Sequence, residues 1–166
     1  MRVGQSAGWV AAGAIAAVTA TACRDPDESA GVERVVDTYE VTLRSVVRDD
    51  PTPSPPASSP GGRRPVVYAV GLDGDAIGTG IQADVVKRVV DDIDLRFADD
   101  REEAFDEDDA VHDDGVLIEL GPVPDDGDRF EIEVVWYSTT GERRELAMNF
   151  RVEDAEVTVT GTSVLD

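Results

Sequence analysis

Cysteine, histidine and lysine each occur once in this chain of 166 residues, as Cys23, His112 and Lys87. A single cysteine leaves no intramolecular disulfide, so packing alone must hold the fold. A single imidazole makes a zinc site improbable, since borderline-soft zinc prefers nitrogen and sulfur ligands, and no glycine-framed serine accompanies His112 as a nucleophile. Cations are scarce too: 15 Lys and Arg stand against 36 Asp and Glu, for a net charge of −21. Nucleic-acid binding needs clustered cations, and the pairs Arg63-Arg64 and Arg143-Arg144 are the nearest approach to a cluster, so nucleic acid is excluded as a partner. Tryptophan is confined to Trp9 and Trp136, few for the aromatic platforms of a sugar-binding cleft, and Trp136 alternates with core-type residues. Gly71, Gly74, Gly78 and Gly80 match neither a Walker loop nor a dinucleotide fingerprint. No cofactor and no catalytic residue is expected.

What is present begins at the N-terminus. Arg2 supplies a positive charge, residues 7–22 (AGWVAAGAIAAVTATA) are uncharged and mostly apolar, and Ala20-Thr21-Ala22 offers small residues for cleavage. Sixteen residues fall short of the roughly 20 that cross a bilayer core as a helix, so a cleaved signal peptide over 1–22 is the expectation ahead of a retained anchor. Cleavage would leave 144 residues and, with Arg2 lost, a charge of −22. Ala20, Thr21, Ala22 and Cys23 resemble the lipobox of bacterial lipoprotein precursors, with Ala20 where leucine is usual. The resemblance covers residues 1–23 and implies a diacylglyceryl group on the Cys23 sulfur, hence a lipid-anchored protein on the extracytoplasmic face of the cell membrane. Two acyl chains bury enough methylenes, at about 0.8 kcal/mol each, to anchor a chain stably. Ala-x-Ala is also an ordinary signal-peptidase site, and that alternative releases a soluble protein with a free thiol.

Behind the cysteine, residues 23–50 are expected to hold the anchor and a helix opened by Asp25 and Pro26, with Val32, Val35, Val36, Tyr39, Leu43, Val46 and Val47 along one face. Residues 51–65 (PTPSPPASSPGGRRP) carry six prolines and read as a loop or linker. Residues 66–166 read as one domain. Strands are expected at 66–70 and 94–98 around a helix at 79–93, with Thr79 and Gln82 at capping-box spacing. Four further strands follow at 116–120, 130–138, 146–152 and 157–162. The expected class is α+β: a mostly antiparallel sheet with two amphipathic helices on one face, compatible with cystatin-like or similar curved sheets.

The acidic tract at 99–114 (DDREEAFDEDDAVHDD) raises calcium as a candidate ligand. Asp106, Asp108 and Asp109 begin an oxygen-rich pattern that Ala110 and Val111 do not complete, and Asp73 and Asp75 begin another that Ile77 interrupts. These five are weak metal candidates beside the plainer reading of a solvated acidic loop. Two alternatives stand beside a non-enzymatic envelope lipoprotein of unknown partner: a calcium-responsive module using 99–114, and a secreted enzyme with an unidentified carboxylate pair.

Overall fold

A computed structural model describes residues 26–49 and 64–165. The signal-peptide, Cys23 and proline-rich expectations therefore lie outside the described residues, apart from positions 64 and 65. The element order is α1 (Pro26–Asp49), β1 (Val66–Gly71), α2 (Thr79–Val89), β2 (Asp94–Phe97), β3 (Val116–Leu120), β4 (Arg129–Tyr137), β5 (Arg143–Glu153) and β6 (Glu156–Leu165). The strands form one sheet in the order β2-β1-β3-β4-β5-β6, so the class is α+β.

The sheet is mixed: three of its five strand pairings are antiparallel, as expected, and two are parallel, which was not expected. β1 pairs in parallel with β2 and with β3, and antiparallel pairing begins only between β3 and β4. The cause lies in the connections. α2 carries the chain from β1 to β2, and a strand returned to by a helical crossover pairs in parallel. The chain then travels back past β1 to β3 through residues 98–115, which pack against the opposite face. Reversing both the direction of travel and the face crossed keeps the two crossovers of the same hand.

Alternation along each strand divides two cores. Val67 and Ala69 of β1, Ile118 and Leu120 of β3, Ile132, Val134 and Trp136 of β4, Met148 and Phe150 of β5 and Val157 of β6 join Val36, Tyr39, Leu43 and Val46 of α1 and Val85 and Val89 of α2. Burial of each such Val or Leu stabilises by about 1.5–3 kcal/mol before entropy is charged against it. Val70, Leu117, Val135 and Tyr137, pointing the other way, meet Ala104 and Val111 of the 98–115 connection.

α1 buries more than its apolar stripe. Thr38 and Thr42 are fully buried, and their hydroxyls donate to the carbonyls of Arg34 and Thr38 one turn back. Arg88 ties it to α2 by meeting Glu33, Asp37 and Glu40, while Arg44 meets Glu40 on its own helix and Asp92 in the turn beyond α2. The start of α2 departs from the expected capping box by one position. Gly78 is the N-cap without a side-chain bond, and the Gln82 amide donates to the Ile77 carbonyl at 2.9 Å. The helix also ends early, at Val89, with Ile93 buried in the turn beyond it.

Candidate functional site

Three regions could carry function, beginning with the acidic tract. Asp100 caps the short 3-10 turn Arg101–Ala104 by accepting from the Glu103 amide. Asp106 accepts from the amides of Asp108 and Ala110, which holds its carboxyl below the usual carboxylate range. Asp113 is likewise lowered, first by its hydrogen bond from Arg96 and then by that from Tyr68. Beneath these polar links, Phe105 packs edge-on against Tyr137 with ring centroids 5.6 Å apart, and the amide of Val111 donates to the Thr139 carbonyl. The tract is thus the crossover that covers the second face of the sheet over β1, β3 and the end of β4.

The five metal candidates are not brought together. Asp73 and Asp75 lie in the turn at the carboxyl end of β1, whereas the 106–109 loop sits beside the β4–β5 turn at the other end of the sheet, with the Asp109 carbonyl close to Gly141. Among the described residues, no three His, Cys, Asp or Glu side chains form a group that could hold a metal ion.

The second region is the carboxyl end of β1 and β3. From β1 the chain leaves toward β2 and from β3 toward β4, and in open sheets such divergence opens a crevice where ligands bind. Here two side chains of α1 reach the loop that follows β3. The Tyr39 hydroxyl donates to the Gly121 carbonyl at 3.2 Å, and the Arg34 guanidinium donates to the carbonyls of Asp126 and Gly127 at 2.9 and 2.8 Å. Arg34 also lies over Phe130, 4.4 Å from its ring centroid, and Phe130 stacks on Phe150. Burial, assisted by the charge of Asp75, pushes the Tyr39 phenol up to about 12. Gly71 lets the β1 turn close, because a Cβ there would stand 1.8 Å from the Asp75 carbonyl oxygen. The effect of this machinery is to fasten α1 to the sheet.

The third region is the face of β4, β5 and β6 turned away from the helices. A shallow groove there is lined by Arg129, Glu131, Asn149, Arg151, Thr160 and Gly161, together with Phe130 and Phe150. Arg129 and Arg151 are directly opposed across the ladder. The amide of Val152 donates to the Asp128 carbonyl, which makes the arginines a non-hydrogen-bonded pair, the closer of the two antiparallel arrangements. Arg151 is neutralised by Glu153 on its own strand. A bulge between Asn149 and Phe150 gives β6 one extra residue, Thr160, whose hydroxyl bonds the Asn149 carbonyl. Among the described residues the sheet ends at β6.

Of the adjacent basic pairs, Arg143 and Arg144 point to opposite faces of β5. Arg143 meets Glu145 and the Tyr137 hydroxyl, and Arg144 meets Glu142 and lies 5.2 Å from the Trp136 ring centroid. Trp136 itself is buried in the helix-side core. Sequence reasoning missed Arg34, Tyr39 and the β6 edge; only the last left a local signal, an uncharged run from 157 to 165. The chain finds no match among protein-family models, curated proteins or solved structures.

Proposed function

We propose that this chain is a cell-envelope lipoprotein, held on the extracytoplasmic face of the membrane by a diacylglyceryl group on Cys23, whose folded part is a non-enzymatic binding or structural module. The observation that carries the reading is the order of segments. A short apolar run ends in Ala-Thr-Ala-Cys, and only Arg24 and Asp25 stand between that cysteine and the start of α1 at Pro26. Among the described residues no helix is long and apolar enough to cross a membrane, which agrees with anchoring from outside the fold. The two helices act as one layer over one sheet face, and the opposite face of β5, β6 and the first part of β4 is left for a partner. Carboxylates of the 99–114 tract bound to backbone amides and to Arg96 favour a structural role for the tract over calcium sensing.

Intact mass of the chain extracted from host membranes in detergent tests the anchor. The expected product begins at Cys23 and is heavier by a diacylglyceryl group, while a Cys23→Ser form is lost from the membrane fraction. An unmodified chain in the medium would overturn the lipoprotein reading.

A further inference from the structure

The two edges of the sheet are built in opposite ways. β2 is four residues long and carries Asp94 and Arg96. β6 is ten residues long and has no charged side chain and no proline from 157 to 165. Among the described residues the β6 backbone pairs with β5, and no other backbone hydrogen bond reaches it. A long uncharged edge is a template for another strand, which native chains blunt with charge, proline, brevity or a bulge. Only the bulge is present here, at Thr160, and residues 161–165 run straight beyond it. Val164 and Leu165, 64% and 40% exposed, stand on that run.

Charge decides between occupants. If a second copy paired antiparallel about Gly161, Val157 would face Leu165, but Glu156 would face Asp166 at both ends, and two chains of −21 would be brought together. Like charges directly opposed across a ladder destabilise it. Carboxylates stand at both ends of the run instead: Glu156 and, in the adjoining turn, Asp154 at one, and Glu145, the register partner of Leu165 and already paired with Arg143, at the other. Arg151, opposite Thr158, is taken up by Glu153.

We propose that the free edge of β6 accepts, by strand addition, an extended segment of another protein with an apolar or threonine-rich centre and Lys or Arg at its ends. Main-chain hydrogen bonds would supply affinity and the framing carboxylates would select for basic flanks. This rests on the reading of the folded part as a binding module.

The test uses the full-length chain and two fluorescent peptides, KKVTVTVKK and EEVTVTVEE. The basic peptide is expected to bind at least tenfold more tightly, and to slow amide exchange in residues 156–165 while leaving β2 unchanged. Val164→Lys, at an exposed position, should weaken binding about tenfold with the melting temperature unmoved. Equal affinity of the two peptides, no binding of either, or protection confined to another strand would overturn the proposal. So would a dimer in sedimentation that Val164→Lys dissolves, because that result assigns the edge to a second copy. A chain that carries lipid but ignores the peptides keeps the anchor and loses the edge; an unlipidated chain that binds them does the reverse.

Discussion

The parallel and antiparallel halves of the sheet are finished differently. β1 and β3 have α2 and α1 over one face and the acidic connection over the other, so both of their faces are core. β5 and β6 pack one face on the helices and present Asn149, Arg151 and Glu153, with Thr158 and Ser163, to solvent on the other. Parallel strands need crossovers, and crossovers cover faces; hairpins need only turns and leave a face bare. In this chain the acidic tract belongs to the covered half, and the candidate binding surface to the bare one.

The contrast breaks most sharply at Leu117, fully buried against the acidic connection. Leu117→Ala should cost about 2–5 kcal/mol, and proteolysis should then reach residues 99–114 first. Glu131→Ala, on the bare face of β4, should stay within about 0.5 kcal/mol. Denaturant melts of both variants check the pair, and equal losses would dissolve the distinction between halves.

Tyr39 sharpens the comparison at the seam, where α1 meets the loop after β3. The unfolded chain gives up the phenol proton near pH 10, while the folded chain keeps it up to about 12. Across that interval the folded state binds the extra proton, so stability falls as pH rises, by about 2.7 kcal/mol in all. Tyr39→Phe should start lower, having lost the bond to Gly121, and then show a flatter profile between pH 10 and 12. Urea melts at closely spaced pH values give the slope.

A smaller effect than that at Tyr39 belongs to the β5–β6 turn, where Asp154 and Ala155 both have positive φ, 52° and 64°. A side chain in the left-handed region costs roughly 1 kcal/mol, which glycine does not bear. Ala155→Gly should therefore stabilise by about 1 kcal/mol, read from the shift in the denaturation midpoint, with the antiparallel half benefiting in amide protection and the parallel half unchanged.

The same contrast explains what could be read from the sequence. The β4–β5 hairpin was legible because Phe130, Ile132, Val134 and Trp136 alternate with other residues and Thr140-Gly141 marks the turn. In β1 and β3 the runs VVYAVG and VLIEL are buried on both faces and show little alternation, so nothing local declared them parallel. The β5–β6 turn lacks the glycine or asparagine that usually announces one. Arg34 and Tyr39 read as ordinary helix positions because their partners, Asp126 and Gly121, lie 92 and 82 residues away. The acidic tract drew notice for its charge, whereas Ala104, Phe105 and Val111, the residues that seat it, are among its plainest.

With lipid on Cys23, α1 would also act as a spacer. It begins eight residues before Arg34, the residue that grips the loop after β3, and at 1.5 Å per residue this first part is about 12 Å long. The Debye length at physiological ionic strength is about 8 Å. A segment of that length could hold Asp125, Asp126 and Asp128 more than one screening length from an anionic leaflet, so that a mature chain of −22 could rest beside a surface of its own sign. Shortening α1 by two turns would bring those charges within range of the lipid headgroups, and the anchor would then work against the field that the helix had kept at a distance.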